Sequence, residues 1–337
     1  MRYDPSHGAF VGANPTLFQC FLPEVAHRTT GEILLHPDFA RIRRRYVLDT
    51  TEHFATAIFP GGLQSTAYRV VALGVLMDLY EAWDPLDRET LPTLTRLKRK
   101  VAIINLSSPR QIDDFVHRLI QTKDVTLERT EIDGRIRLIK PSDRLASWHE
   151  AMTASYYGIL DRLYPTPGYG LAVARDAEVL RAQRIVAKST FAAIGRFLMQ
   201  NEDLLPFLNM NLGGIVLMRL AVADEAAPDE AETDTLFDTL KLKYGITRSH
   251  FRNITVTAEE RGLLERSGRR GKILSLTSRG HLAVDRFIAD TLASHDMTFR
   301  MALTKIGADG EGCRSLVRDI GSRALPAARG RDPSRAP

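Results

Sequence analysis

Cysteine is scarce in this sequence of 337 residues, which contains only Cys20 and Cys313. Two cysteines cannot form the disulfide framework that stabilises many small secreted domains. No apolar run reaches the roughly 20 residues that a membrane-spanning helix needs. The N-terminus also lacks the basic and then apolar order of a secretory signal. From these absences we expect a cytoplasmic protein without a membrane segment.

The sequence motifs of catalytic and metal sites are missing as well. The nine histidines are scattered, with neither a His-x-x-x-His pair nor a Cys-x-x-Cys pair. There is no phosphate-binding P-loop, no nucleophile elbow and no dinucleotide fingerprint. We therefore expect that the protein is not an enzyme and binds neither a metal ion nor a cofactor.

What is present is a globular composition with an excess of positive charge. Hydrophobic residues make up 44% of the chain and charged residues 26%, and the formal net charge is +5. This length allows two ordinary domains with their own apolar cores. Basic residues cluster at Arg96–Lys100 and Arg266–Lys272, whereas acidic residues gather at Ala223–Asp234. Such clustering favours a polyanionic partner such as nucleic acid.

The chain contains two similar segments, which predicts a duplicated unit. Several residues recur at a constant offset of 137: Glu128, Arg129, Gly134 and Ile136 match Glu265, Arg266, Gly271 and Ile273, and Leu145–Ala146 matches Leu282–Ala283. Upstream, Gly74–Asp84 resembles Gly214–Asp224. We divide the chain into an N-terminal extension (1–36), a first unit (37–165), a second unit (172–304) and a mobile basic tail (305–337), with a Pro- and Gly-rich boundary between the units.

In the second unit, local signals predict a helix, a tight turn, a second helix and a hairpin. Gly245 ends the first of these helices, and Thr247 supplies a side-chain cap for the next. The apolar face of that helix consists of Phe251, Ile254, Thr255 and Ala258. A Gly-Arg-Arg-Gly turn then joins two short strands, and a long amphipathic helix follows.

The stretch TRSHFRNITVTAEERGLLERSGRRGKILSLTSRG, residues 247–280, resembles the recognition helix and wing of MarR-type transcriptional regulators. The matching parts are Thr247-Arg248-Ser249, Glu260-Arg261-Gly262-Leu263, Glu265-Arg266, and Leu276-Thr277 with Arg279-Gly280. The resemblance covers residues 177–299 well and residues 36–164 more weakly. It implies a mainly α protein with small β-hairpin wings, in which two tandem winged helix-turn-helix domains are packed by long helices. Because such regulators usually act as dimers, the chain resembles a covalently fused dimer.

A helix can enter the major groove of DNA, where arginine pairs with guanine, asparagine pairs with adenine and an apolar side chain meets the thymine methyl group. A basic wing can contact phosphates or the minor groove. In the second unit we expect DNA contacts from Arg248, Ser249, Arg252, Asn253 and Val256 on the helix and from Arg266, Arg269, Arg270 and Lys272 on the wing.

The first unit has the same pattern with weaker basic character. Ser108 caps its helix, Pro109 takes the first helical position, and Ile112, Phe115, Val116 and Leu119 face inward. Its candidate DNA contacts are Arg110 and His117 on the helix and Arg135 and Arg137 on the hairpin. The adjacent Asp113 and Asp114 would repel phosphates, so this unit either binds DNA weakly or serves as the second half of a dimer-like body. The basic run Arg96–Lys100 either grips the DNA backbone or is a solvated helix face.

An aromatic group follows the first hairpin and consists of Trp148, His149, Tyr156 and Tyr157. In MarR-type proteins, small aromatic ligands can bind between the DNA-binding lobe and the dimerisation helices, so these residues are candidates for a ligand pocket. The alternative is an ordinary core. A thiol redox switch would use Cys20 or Cys313, which both lie outside the two units.

The function expected from these observations is sequence-specific binding of double-stranded DNA by a nucleoid-associated transcriptional regulator, either as a monomeric pseudo-dimer or as a homo-oligomer. One alternative is a replication or partition protein of a mobile element. Another is a scaffold that uses winged helices to bind proteins.

Overall fold

A computed structural model describes residues 5–130, 133–226 and 233–307. Local sequence signals determine where its helices begin and end. The chain is mainly helical with two small antiparallel hairpins, as predicted. Outside the described residues lie Cys313, residues 308–337 of the predicted tail and residues 227–232 of the acidic segment. Within the described ranges, no helix is long and apolar enough to cross a lipid bilayer.

The N-terminal extension and the first unit contain seven of the helices and the first hairpin. These elements are α1 (Pro5–Ala13), α2 (Thr30–Leu34), α3 (Phe39–Thr51), α4 (Ala67–Glu81), α5 (Leu94–Val101), α6 (Pro109–Gln121), β1 (Val125–Arg129), β2 (Arg137–Pro141) and α7 (Asp143–Leu163).

The elements of the boundary and the second unit are α8 (Gly170–Val173), α9 (Ala177–Met199), α10 (Leu205–Leu208), α11 (Gly213–Ala226), α12 (Thr233–Tyr244), α13 (Arg248–Glu260), β3 (Leu264–Ser267), β4 (Ile273–Leu276) and α14 (Ser278–Lys305). The second unit repeats the order of the first from α9 onward, with one short helix (α8) at the boundary before it and another (α10) between α9 and α11.

Helices α6 and α13 each have 13 residues and begin at side-chain caps. The hydroxyl of Thr247 accepts from the backbone N–H of His250, and Ser108 forms a reciprocal capping box with Gln111. Gly245 has a φ of 66°, which suits the helix end predicted there. Both predicted inward faces are buried, so the local prediction for these helices is confirmed.

The structure corrects the register of the internal repeat. The two capping residues, Ser108 and Thr247, are 139 positions apart. The residues that cap the helices after the hairpins, Ser142 and Thr277, are only 135 positions apart. The first hairpin is therefore four residues longer than the second.

This difference in hairpin length overturns part of the sequence alignment. Thr126 and Leu127, rather than Glu128 and Arg129, occupy the strand positions of Glu265 and Arg266. The match of Leu145–Ala146 with Leu282–Ala283 is wrong for the same reason. The constant offset of 137 rested on a few residues, and it concealed the four-residue insertion between the strands of the first hairpin.

Helices of the two units pack against each other reciprocally. Helix α4 of the first unit packs against α9 of the second, and α11 of the second packs against α3 of the first. One continuous apolar core includes residues of both units, and it passes through the boundary at Tyr169, which is fully buried. The N-terminal extension joins the same core through Ile33 and Leu34, because α2 packs against α14.

Helix α14 carries three buried carboxylates that hold other parts of the chain. Asp285 accepts from Nη1 of Arg43 on α3 at 2.8 and 3.0 Å. Asp290 accepts from the hydroxyl of Thr30 on α2 at 2.6 Å. Asp296 accepts from the backbone N–H of Arg28 (2.6 Å), the hydroxyl of Tyr169 (2.7 Å) and Nε of Arg300 (3.0 Å).

The Arg43–Asp285 pair offers a test of this arrangement, since the side chains are only 5% and 3% exposed. Arg43→Leu leaves a buried carboxylate without its cation, and we expect it to lower the free energy of unfolding by about 3–5 kcal/mol. Urea denaturation followed by circular dichroism measures this change.

Arg41→Leu is the matched control, because Arg41 lies on the same helix and its pair with Asp38 is exposed. The control should change stability by about 1 kcal/mol or less. The double variant Arg43→Leu/Asp285→Leu should recover most of the loss. Equal effects of Arg43→Leu and Arg41→Leu would contradict the role assigned to the buried pair.

Candidate nucleic-acid interface

The outer face of α13 presents the side chains that were predicted to read bases. Ser249, Arg252 and Asn253 are exposed, and Val256 is half-buried at the edge of this face. Among the described residues, neither Arg252 nor Asn253 has a side-chain hydrogen bond or ion pair. Their donors and acceptors therefore meet solvent on a helix whose opposite face is fixed in the core.

Arg248, at the first position of α13, is occupied by contacts with α12. Its guanidinium lies 2.9 Å from a carboxylate oxygen of Asp234 and stacks over the ring of Phe237 at 4.3 Å from the centroid. The hydrogen bond from Arg248 lowers the pKa of Asp234. Arg248 thus fixes the turn between α12 and α13, and its expected DNA contact stays a prediction.

The second hairpin forms the predicted Gly-Arg-Arg-Gly turn. Gly268 and Gly271 have φ values of 72° and 66°, as expected for these positions, and Arg270 also has a positive φ of 59°. The side chains of Arg269 and Arg270 are exposed at the tip. The carbonyl of Lys272, whose side chain is exposed, accepts from the backbone and hydroxyl of Thr233 and so ties the hairpin to α12.

Arg266 differs from the other wing cations because it points back to α13. Its Nε donates to a carboxylate oxygen of Glu259 at 2.9 Å, and its Nη2 donates to the hydroxyl of Thr255 at 3.1 Å. Thr255 is 1% exposed, so this contact is made on the buried side of α13, beneath the hairpin. Arg266 therefore braces the hairpin against α13, a role that its position in the sequence does not reveal.

On the first unit, the exposed face of α6 includes Arg110, Asp114 and His117. Asp113 pairs with Lys98 of α5 at 2.8 Å, which compensates its negative charge. Nε2 of His117 lies 3.1 Å from the side-chain nitrogen of Gln121. This face is therefore less basic than the corresponding face of α13.

The first hairpin exposes the two arginines that were predicted to contact DNA. Arg135 and Arg137 are both exposed, and Arg137 lies directly opposite Arg129 in the strand register. Two like charges in this position repel each other unless an anion lies between them. The hairpin loop includes residues 131 and 132, which are outside the described residues.

The basic run Arg96–Lys100 is mostly engaged in contacts within the protein. Arg96 pairs with Glu89 at 3.1 Å, Lys98 pairs with Asp113, and Nζ of Lys100 donates to the carbonyl of Lys188 at 3.4 Å. Desolvation by burial lowers the pKa of Lys100. These contacts fix α5 against its neighbours and leave little of the run for a DNA backbone.

Three members of the aromatic group line a cavity, and one does not. His149, Tyr156 and Tyr157 are lining residues. Trp148 instead packs edge-on against Phe59 and donates from Nε1 to a backbone carbonyl at 2.9 Å, which makes it an ordinary core residue. The prediction that Trp148 lines a pocket was wrong, because it projects from another side of α7.

Comparisons with known proteins do not assign this chain to a family. No protein-family model, curated protein or solved structure matches it. Within the part of the chain that the structure describes, no group of histidine, cysteine or acidic side chains could hold a metal ion. A functional proposal therefore depends on the arrangement of the residues themselves.

The brace formed by Arg266 gives a testable prediction. Arg266→Ala removes the hydrogen bonds to Glu259 and Thr255, and we expect it to lower the free energy of unfolding by roughly 1 kcal/mol. The contribution of the Glu259 pair is small because both side chains are partly exposed to solvent. Urea denaturation is a suitable measurement.

Arg269→Ala serves as the control because Arg269 is on the same hairpin with an exposed side chain. It should change stability by less than about 0.5 kcal/mol. If both variants lose the same free energy, Arg266 is not a brace.

Proposed function

We propose that this protein binds double-stranded DNA in a sequence-specific manner and regulates transcription in the nucleoid. The observation that carries the proposal is the pair Arg252 and Asn253 on the exposed face of α13, next to a hairpin tipped by Arg269 and Arg270. Both side chains project from a helix that is capped at its start and packed along its opposite face.

The chemistry of these side chains suits the edges of base pairs. Arginine can donate two hydrogen bonds to guanine, and asparagine pairs with adenine through its amide. The major groove admits one helix, and the N-terminal part of that helix meets the bases. Arg252 and Asn253 are the fifth and sixth residues of α13, which places them in this part.

The order of elements supports a pair of winged helix-turn-helix units. In each unit an inner helix, two further helices, a hairpin and a long helix follow one another, and the inner helices pack reciprocally against the other unit. We infer a covalently fused pseudo-dimer of MarR type with two unequal readers. Its preferred site would be asymmetric, because α13 presents arginine and asparagine where α6 presents aspartates.

Two other functions are alternatives to this one. A replication or partition protein would use the same base-reading residues, but its sites would lie at an iterated origin. A protein-binding scaffold would give no reason for arginine and asparagine to remain without partners on the outer face of α13. Salt-sensitive duplex binding separates the scaffold from the DNA readers, and the genomic position of the sites separates the two readers.

The central test is binding to a randomised duplex pool and then to its enriched sequence, measured by fluorescence anisotropy. Arg252→Ala and Asn253→Ala should each weaken binding to the enriched sequence by about 1–3 kcal/mol and relax its base preference at one position. Each variant removes a side chain that is free to pair with a base.

Arg162→Ala is the charge-matched control, because Arg162 is exposed at the end of α7 far from the first hairpin. It should bind the enriched sequence like the wild type. Weak binding without sequence preference, unchanged in all three variants, would favour the scaffold.

The hairpin arginines should behave differently from the helix residues. Arg269→Ala and Arg270→Ala should weaken binding to all duplexes to a similar degree, since phosphate contacts carry no sequence information. Each should also reduce the slope of log K against log salt by about 1. A salt titration from low to physiological ionic strength measures this slope, and an unchanged slope would place the hairpin away from the phosphates.

A further inference from the structure

A cavity of about 350 Å³ lies between helices of the two units. Its walls come from α3, α4 and α7 of the first unit and from α9, α11 and α14 of the second. This volume is at the lower end of the range for small-molecule sites. The walls are largely apolar and include four methionines, whose flexible side chains adapt to a ligand: Met152, Met199, Met210 and Met218.

Gln183 of α9 is the unusual residue of this cavity. The residue is 5% exposed and lines the cavity, yet neither Nε2 nor Oε1 hydrogen-bonds to any group in the described residues. The hydroxyl of Thr66, on another wall, also has no partner among them. Roughly 90% or more of buried polar groups are hydrogen-bonded. A buried amide in which neither polar atom has a partner therefore indicates a hydrogen-bonding molecule in the cavity.

Burial favours the uncharged form of three titratable groups on the walls. Burial raises the pKa of Asp78 to about 8, which keeps its carboxyl protonated at pH 7. Burial also lowers the pKa of His149 to about 3 and that of His295 to about 4. Nδ1 of His295 is 2.7 Å from the carbonyl of Thr291, which sets the neutral ring with its proton on this nitrogen.

The remaining charged residue on the walls is compensated by neighbouring carboxylates. Arg184 donates to Glu81 at 3.2 Å and to Glu150 at 2.9 Å. A charged ligand would therefore enter an apolar cavity in which no opposite charge is available to it. Burial of an unpaired charge is costly, so these walls favour an uncharged ligand.

We propose that the cavity binds a small uncharged molecule with a flat apolar body and adjacent N–H and C=O groups, which pair with Oε1 and Nε2 of Gln183. A primary amide presents an acceptor and two donors side by side, so a lactam or a cyclic amide is the matching chemical class. The rings of Tyr46, Tyr156 and Phe287 on the walls suit a flat body. None of the residues that line the cavity is among the proposed DNA contacts, so ligand binding is proposed independently of the proposed function.

The test uses isothermal titration calorimetry on the full chain without DNA. The probes are quinolin-2(1H)-one, a lactam, and its N-methyl derivative, which lacks the N–H donor. The wild type should bind the lactam at least about tenfold more tightly than the N-methyl compound. Gln183→Met keeps the length of the side chain and removes the amide. It should weaken lactam binding at least about tenfold, and it should weaken binding of the N-methyl compound by a smaller factor, because that compound has only its C=O to pair with Nε2.

Gln19→Met is the control, because Gln19 is exposed and outside the cavity, and it should bind both probes like the wild type. Equal binding of the two probes, no binding of either probe, or unchanged lactam binding in Gln183→Met would each overturn the proposal. Tighter binding of the anion quinoline-2-carboxylate than of the lactam would do the same. The comparison of probes on the wild type needs no variant, so it decides the matter even if Gln183→Met fails to fold.

Discussion

Three buried carboxylates on α14 each need a hydrogen-bond donor or a cation as a partner. The arrangement of the chain depends on which segments supply these partners. A carboxylate removed from water is strongly destabilising unless cations or donors compensate it. Asp285, Asp290 and Asp296 obtain their partners from α3, α2 and the boundary at Tyr169. Because β4 leads directly into α14, the same helix that gathers the N-terminal extension and the first unit also sets the position of the second hairpin.

On this framework the two outward helices have different surfaces. Helix α13 presents Arg252 and Asn253 without partners among the described residues, while Arg266 braces the hairpin beneath them. Helix α6 presents a face whose Asp113 is tied to α5. The two helices thus have similar backbones but different surface charges, which is why the proposed base reading is assigned mainly to the second unit.

The cavity between the units lies against α4 and α11, the inner helices of both units, so a ligand there would contact both.

Local signals predicted much of the fold, because caps and apolar periodicity act within a few residues. The starts of α6 and α13, their buried faces and the positive φ values of the second hairpin were all read from such signals. Long-range partners were not predictable. Arg266 looked like a free wing cation until folding placed Glu259 beside it. Gln183 gave no signal, because its environment is created by helices distant in sequence. The division into units and the base-reading residues stay predictions.

Reciprocal packing of α4 with α9 and of α11 with α3 joins both units within one chain. In a symmetric dimer, every substitution appears twice and changes both surfaces together. Here each substitution appears once, so one outward helix can lose basic character while the other keeps it. The pairing of the units also does not depend on protein concentration, since they cannot dissociate into separate subunits. A single copy of this chain therefore has two different outward surfaces, so it can hold an asymmetric partner in one orientation.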